Sequence, residues 1–253
     1  MVCSARWTPL HAAAHSGHTA VAQLLLSDPR VKVDLVDDTG RSALHRAAFQ
    51  GHAAVVELLL ADGRVDVNMR DHAGCTALHD AASSGSSAVL SLLLAQPGVL
   101  YSASLKGWTP LHEAASAGND AAVRIFLADP RVGLPSVAAR DGKTPLLAAA
   151  AAGHAAVVRT LLSDPRVDAS AGCLGSNETP LHAAAAAGHE AVVDVLLSGS
   201  GINVNCALAA TGHTPLMLAA WKGRVGVVRR LLADPRVNEL AKDKVWSEGR
   251  GCL

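Results

Sequence analysis

The chain repeats one pattern of polar and apolar positions seven times. A Thr or Ser is followed by Pro or Ala, a Leu, an Ala-rich segment, a fixed Gly and an apolar segment that ends in leucines. The copies begin at Thr8, Ser42, Thr76, Thr109, Thr144, Thr179 and Thr214, which are 33–35 residues apart. Such a period predicts an array of similar repeats, each of which buries its apolar face against its neighbours.

The residue pattern of each repeat predicts two short helices. Its Thr or Ser is a preferred N-cap, and Pro fits the first helical position because its missing N–H would have no partner there. The Gly nine residues later predicts the end of the first helix, where glycine adopts a left-handed conformation. The second helix has a broad apolar stripe, as at 55–60, and stops at Asp-Pro-Arg-Val in four copies, since Pro cannot continue a helix.

We call the segments between successive helix pairs fingers. Their residues predict tight turns. Two residues before each later Thr or Ser stands a residue suited to a positive φ: Gly40, Gly74, Gly107, Gly142, Asn177 or Gly212. Asn is the residue that best replaces Gly in this conformation. One turn geometry is therefore expected in all six fingers.

Charge and cysteine content narrow the class of protein. The 22 basic and 22 acidic residues leave no net charge, so neither nucleic acid nor an anionic membrane surface is expected as a partner. No apolar segment is long enough for insertion into a membrane. The five scattered cysteines fit a reducing compartment better than a disulfide framework. We expect an intracellular protein, located in the cytoplasm or the nucleus.

Twelve histidines raise the hypothesis of a metal site, above all in the segment His-Ala-Ala-Ala-His-Ser-Gly-His at 11–18. The spacing would place three histidines on one continuous helix, but the repeat ends that helix at Gly17. No Glu follows the first His as the general base of a zinc hydrolase, and the sequence has no nucleophile-elbow or phosphate-loop motif. The sequence therefore predicts no metal, no cofactor, no catalytic residue and no enzymatic activity.

The motif T-P-L-H-x-A-A followed by G-H, repeated every 33–35 residues over residues 7–238, resembles the ankyrin repeat. The resemblance implies a mainly α fold: a solenoid of helix–turn–helix units with projecting β-hairpin or loop fingers. Leu147 and Met217 depart from the motif at its histidine, and Ala43 and Ala77 at its proline. We expect a single ankyrin-repeat domain at 1–238, a tail or incomplete further repeat at 239–253, and a monomer.

The same resemblance implies a protein–protein interaction module, an adaptor or scaffold, that binds another protein through a concave face of finger tips and first helices. Carried onto this sequence, the candidate partner-binding residues are Trp7, His15, Arg41, Phe49, Gln50, Trp108, Lys143, Glu178, His213, Trp221 and Lys222. Four of the seven aromatic residues fall in this set, and aromatic side chains often anchor interfaces. The alternative is that they pack between adjacent repeats.

Two further alternatives stay open at this level. The array is either an adaptor in its own right or a regulatory or targeting domain of a larger enzyme or channel. The Asp-Pro-Arg-Val arginines form either an anion-binding strip or, as we expect, a row of weak surface pairs at helix ends.

Overall fold

The computed structural model describes residues 6–133, 139–172, 175–199 and 201–244. Within these ranges the chain forms fourteen helices and no β-strand. The helices are α1 (Pro9–His15), α2 (Thr19–Ser27), α3 (Ala43–Gln50), α4 (Ala53–Ala61), α5 (Ala77–Ser84), α6 (Ser87–Leu94), α7 (Pro110–Ala117), α8 (Asp120–Ala128), α9 (Pro145–Ala152), α10 (Ala155–Leu162), α11 (Pro180–Ala187), α12 (Glu190–Leu197), α13 (Pro215–Trp221) and α14 (Val225–Ala233).

The chain divides into two compact units, Met1–Val132 and Gly133–Leu253. Unit 1 contains the four helix pairs α1 to α8, and unit 2 contains the three pairs α9 to α14. The predicted domain boundary at residue 238 stays a prediction, and residues 245–253 of the predicted tail lie outside the described residues.

Each first helix begins at the predicted Thr or Ser. Thr8 has extended backbone angles, and its side chain accepts a hydrogen bond from the His11 N–H. The same extended N-cap precedes all seven first helices. Pro occupies the first helical turn in α1, α7, α9, α11 and α13. The predicted helix starts are therefore confirmed.

The fixed glycines end most of the first helices as predicted. Gly51 caps α3 in the left-handed conformation with φ 76°, and glycine has the same role at the ends of α5, α7, α9 and α11. In α1 and α13 the helix ends one residue earlier, because Ser16 and Lys222 are the C-caps, although Gly17 and Gly223 still have positive φ.

The fingers take the loop form of the prediction. Asn177 has φ 56°, and the five glycines at the corresponding positions have φ of 76–82°, so the positive φ predicted at all six positions is confirmed. The turn itself differs in the last finger, where the Gly212 N–H donates to the Leu208 carbonyl four residues back, whereas the Gly40 N–H donates to the Asp37 carbonyl three residues back.

In the finger of the second repeat, the Asp37 N–H donates to the Arg41 carbonyl at 3.0 Å. The Asp37 carboxylate accepts from the backbone N–H groups of Thr39 and Arg41 at 2.8 and 3.1 Å. A side chain thus closes the turn without a strand ladder.

Neighbouring repeats pack helix against equivalent helix. In unit 1 the first helices α1, α3, α5 and α7 pack in chain order, and the second helices α2, α4, α6 and α8 do the same. Unit 2 has the corresponding rows α9, α11, α13 and α10, α12, α14. Ala pairs such as Ala47 and Ala48 are fully buried, and their small size lets first helices approach closely. Each repeat therefore depends on its neighbours for burial.

Candidate functional site

The motif histidines of α1, α3, α5 and α11 link these first helices to the fingers that follow them. Thr8 Oγ1 lies 2.8 Å from His11 Nδ1, and His11 Nε2 donates to the Arg41 carbonyl oxygen at 2.9 Å. A carbonyl only accepts, so the proton is on Nε2 and Nδ1 accepts from the Thr hydroxyl. The same link joins His45 to Cys75, His79 to Trp108 and His182 to His213, at 3.1–3.2 Å. Each accepting residue directly precedes an N-cap, where the predicted binding residues lie.

Burial favours the neutral form of these histidines. His79 is 1% exposed, and burial lowers its pKa to about 4 although the bond to the Trp108 carbonyl opposes the shift. Burial also lowers the pKa of His11, His45 and His182. Both nitrogens of such a ring are occupied by hydrogen bonds within the fold. The motif histidines therefore hold finger tips in position.

In the second, fourth, sixth and seventh repeats, the residue after the fixed Gly donates a hydrogen bond to the preceding repeat. His52 Nε2 donates to the His15 carbonyl oxygen at 3.0 Å. Asn119, His189 and Arg224 stand at the same place and donate to the corresponding carbonyl, at 2.7, 3.0 and 3.1 Å. The sequence offered no clear signal for this role, because three residue types perform it.

The Asp-Pro-Arg-Val and Asp-Gly-Arg-Val arginines do more than form surface pairs. Each pairs with the Asp two residues before it, at 2.6 Å for the residues described. Some also donate to backbone carbonyls of the preceding repeat: Arg64 to Leu26 at 2.9 Å, Arg131 to Leu94 at 2.8 Å and Arg236 to Gly199 at 3.0 Å. The expectation of weak surface pairing was therefore incomplete, because these arginines join adjacent repeats.

Three predicted binding residues lie together at the first repeat. Trp7 is 38% exposed, and its ring centre lies 4.9 Å from that of His15. Gln50 Nε2 lies 3.1 Å from His15 Nε2. The Arg46 guanidinium lies 5.2 Å from the centre of the Trp7 ring and donates to Asp37 at 2.8 Å. These contacts join an exposed aromatic ring to a charge pair.

Arg41 and Phe49 form a second group in unit 1. Phe49 is 42% exposed, and the Arg41 guanidinium lies 5.5 Å from its ring centre. The same guanidinium contacts Asp71 at 3.3 Å and Asp80 at 3.2 Å. Arg41 therefore connects an exposed aromatic side chain to two buried carboxylates.

Trp108 occupies the tip of the finger that precedes α7. Its side chain is half-buried, and its ring centre lies 5.8 Å from that of His112. Its carbonyl oxygen is the acceptor for His79 of α5. The finger tip is thus fixed against the preceding first helix.

The remaining predicted residues lie in unit 2. His213 and Trp221 have ring centres 6.1 Å apart, and the Lys222 Nζ lies 4.4 Å from the Trp221 ring centre. Trp221 is 70% exposed. These three residues form one group in which a large aromatic surface faces water.

Lys143 and Glu178 precede the N-caps of α9 and α11. Lys143 Nζ pairs with Asp141 at 3.2 Å, and the Glu178 backbone N–H donates to Ser176 Oγ at 3.2 Å. The candidate residues thus form local groups within each unit, and their role in binding a partner stays a prediction.

Charged residues at the fourth position of three first helices were not among the predicted binding residues. Arg46, Asp80 and Glu113 occupy this position in α3, α5 and α7. The signal was present in the motif T-P-L-H-x-A-A, because x is charged in three consecutive repeats and alanine or leucine in the other four. Asp80 contacts Arg41 at 3.2 Å, and the Arg46 guanidinium lies over the Trp7 ring, so two of these side chains adjoin candidate binding residues.

Two kinds of feature are absent from the described residues: a metal-binding group and a membrane-spanning helix. Within them, no group of three or more His, Cys, Asp or Glu side chains is placed to hold a metal ion. None of the helices in the described ranges is long and apolar enough to cross a bilayer.

A cavity of about 300 Å³ beside α1 is lined mainly by apolar groups such as Leu10, Leu25 and Leu35.

Comparison with known proteins identifies the class. The family model for ankyrin repeats in three copies matches residues 2–71, 78–172 and 167–241, and the model for many copies matches residues 54–94. These matches cover most of the chain, which therefore belongs to the ankyrin-repeat family. No curated protein sequence matches the chain at a significant level.

Two solved structures show the same relationship. The chain is similar to the human ASB11 ankyrin repeat domain, with 30% identity, a TM-score of 0.77, and coverage of 88% of this chain and 98% of that one. It is also similar to the ankyrin repeat domain of Bcl-3, described as a unique member of the IkappaB protein family. That match has 26% identity, a TM-score of 0.69, and coverage of 89% and 99%.

Proposed function

We propose that this chain is an adaptor or scaffold that binds another protein through its finger tips and first helices. One observation carries the proposal: aromatic and charged side chains that stabilise no core remain at the water-exposed ends of these elements. Trp221, Phe49 and Trp7 are 70%, 42% and 38% exposed. Aromatic side chains of this kind contribute a large share of binding energy when a partner buries them.

The scaffold supports this role because it fixes the finger tips from behind. The motif histidines bond to the carbonyls of Arg41, Cys75, Trp108 and His213. Residues presented on a rigid backbone lose little conformational entropy on binding.

Affinity capture from native lysate tests the proposal with exposed residues whose removal leaves the core intact. Phe49→Ala in unit 1 and Trp221→Ala in unit 2 each remove one anchor, and Leu232→Ala removes an exposed side chain of α14 outside the proposed face. We expect Phe49→Ala or Trp221→Ala to reduce capture of a partner about tenfold or more, while Leu232→Ala leaves it unchanged. Capture that is equal for all three variants would exclude the proposed face.

A further inference from the structure

The first helix pair exposes side chains that the other repeats bury. Val21, on α2, is 48% exposed, whereas the equivalent residue of the other six repeats is at most 1% exposed. Leu25 is half-buried, and its six equivalents are fully buried. Pro9 is exposed, and Leu24 is 73% exposed. We call the surface of these four residues the entry face, because the later repeats cover it by packing against the repeat before them.

The last second helix, α14, exposes the opposite side of such a joint. Val228 is partly exposed, whereas the equivalent residue is fully buried in the other six repeats. Val225 and Leu232 are 63% and 55% exposed. We call these three residues the exit face. Repeat arrays stay soluble when their terminal repeats have a polar outer face, but the entry and exit faces are apolar.

The joint between α12 and α14 shows which positions meet when one second helix packs on another. Arg230 of α14 contacts Glu190 of α12 at 2.7 Å. Counted from the fixed Gly, Leu24 has the place of Arg230, and Val225 has the place of Glu190. A helix that packs on α14 in the same manner therefore brings its residue at this position to Val225. Leu24 supplies an exposed apolar side chain for that place, so the entry face matches the exit face in chemistry.

Arg30 is a donor that later repeats use in their joints. Its side chain is 88% exposed and pairs with Asp28 in its own loop. The equivalent Arg64 also donates to the Leu26 carbonyl of the preceding repeat at 2.9 Å. Leu232 has the place of Leu26 in the last repeat. The Leu232 carbonyl is therefore the acceptor that corresponds to Arg30.

His18 offers a second donor of the same kind. It is exposed, and its ring makes no capping bond to α2. The equivalent His52 donates to the His15 carbonyl of the preceding repeat at 3.0 Å. Trp221 has the place of His15 in the last repeat. The apolar and the polar parts of a repeat joint are thus both present, divided between the two ends of the chain.

We propose that a second copy of this chain docks head to tail, with its entry face on the exit face of the first copy. Leu24 contacts Val225, and Val21 and Leu25 pack against Val228 and Leu232, as in the joints between repeats. The two contacting faces differ, so a dimer keeps one free entry face and one free exit face, and association continues as the concentration rises. In dilute solution the chain is the monomer expected from the sequence.

Sedimentation velocity of the full chain from about 1 µM to about 1 mM tests the proposal. We expect the average mass of the wild type to rise above 25.9 kDa with concentration. Leu24→Asp and Val225→Asp place a charge in the apolar contact, and each should weaken association at least about tenfold. Gln23→Asp, which adds the same charge at an exposed position of α2 outside the entry face, should associate like the wild type.

An equal mixture of Leu24→Asp and Val225→Asp separates a head-to-tail contact from a symmetric one. The first variant keeps its exit face and the second its entry face, so we expect a dimer that contains one of each. Growth should stop there, because the other joint would bring the two aspartates together. Both substitutions are at exposed positions, and circular dichroism checks that the variants are folded.

Three results would overturn the inference. A wild type that stays monomeric up to about 1 mM would leave both faces to other partners. Undiminished association of either single variant would indicate a contact outside these faces or a symmetric contact through one of them. A mixture that stays monomeric would show that the two faces do not bind each other.

The self-association experiment and the lysate experiment have separate outcomes. In the lysate experiment the bait is kept below the concentration at which the wild type associates, so Leu232→Ala remains a valid control there. Unchanged capture in Phe49→Ala and Trp221→Ala would exclude the finger-tip face and leave the head-to-tail contact standing. Failure of self-association would leave the finger-tip face standing.

Discussion

Units 1 and 2 use the same backbone motif to present different faces. In unit 1 the fourth position of three first helices carries Arg46, Asp80 and Glu113. In unit 2 the same position carries Ala148, Ala183 and Leu218, which are 6–8% exposed. Burial of the Leu and Ala positions therefore defines the scaffold in both units, while the fourth position determines the chemistry of the face.

The two units also differ in which motif residues, proline or histidine, stabilise the start of their first helices. α3 and α5 in unit 1 have Ala in the proline position and keep the motif histidine. α9 and α13 in unit 2 have lost the histidine and keep proline. Thr144 Oγ1 still accepts from the Leu147 N–H at 3.2 Å. Either proline or histidine therefore suffices beside the N-cap hydroxyl, and the histidine adds the link to the next finger.

Truncation of the core should have the largest effect and should act first on the unit that contains it. Phe126, in α8, is fully buried in unit 1 and stacks edge-on with Tyr101 at 6.2 Å. We expect Phe126→Ala to lower the free energy of unfolding by about 3–5 kcal/mol and Leu196→Ala in unit 2 by about 2–5 kcal/mol. Hydrogen exchange followed by mass spectrometry, peptide by peptide, measures both. If either substitution lowered the protection of backbone amides from exchange equally in both units, the two units would not unfold separately.

In an Asp80→Asn background, which removes an opposing carboxyl, acidification should destabilise unit 1 more than unit 2. In the folded state the pKa of His79 is lowered to about 4, against about 6.5 in an unfolded chain. Neutral His79 therefore contributes about 3 kcal/mol to the free energy of unfolding. This contribution is complete above pH 6.5 and is lost as the pH falls towards 4. His11 and His45 act in the same direction in unit 1, and His182 in unit 2. Urea unfolding at pH 7.5 and 5, with hydrogen exchange as the unit-specific probe, measures the difference.

Asp80 is the matched control for this pH dependence, because its sign is opposite. Its pKa is raised to about 7 in the fold, so the fold favours the protonated carboxyl. The resulting contribution to the free energy of unfolding is complete below pH 4 and is lost as the pH rises through 7. Asp80→Asn should therefore make the loss of stability on acidification from pH 7.5 to 5 larger. An unchanged loss in that variant would show that the Asp80 carboxyl is ionised throughout this range.

Removal of a motif histidine should have an intermediate effect that tests the link to the fingers. His45→Leu leaves the Cys75 carbonyl without its donor, and we expect a cost of about 1–3 kcal/mol. Leu147 already occupies the equivalent position in unit 2, so the leucine itself fits such a site. Urea denaturation measures the cost. Wild-type stability of His45→Leu would mean that the N-cap hydroxyl alone holds the repeat boundary.

The smallest effect is expected from the arginines after the second helices. Arg64 donates to the Leu26 and Val31 carbonyls of the preceding repeat, while in the described residues Arg30 pairs with Asp28 alone. We expect Arg64→Ala to lower the urea midpoint measurably and Arg30→Ala to leave it unchanged, because isolated surface pairs contribute little. Equal midpoints for the two variants would mean that the bonds to the carbonyls add nothing in water.

The repeat period allowed the helix starts, the glycine caps and the turn at Asn177 to be predicted, because each depends on local backbone chemistry. The contacts of Arg46, Asp80 and Glu113 could not be predicted in this way. Their partners lie in neighbouring repeats, and the order of residues along one chain does not show which side chains reach across. For the same reason the reach of Arg64 to the Leu26 carbonyl was missed, although its pairing with Asp62 follows from two-residue spacing.

The variety of side chains after the fixed Gly bears on how the sequence of such a chain can change in evolution. The imidazole of His52, the amide of Asn119 and the guanidinium of Arg224 reach the same carbonyl of the preceding repeat. Codons for Asn and Arg each differ from a His codon by one nucleotide. A lineage can therefore pass between a titratable, a neutral and a permanently charged side chain at this place without leaving the carbonyl unsatisfied. Charge on the molecule can drift while the joint between repeats stays closed.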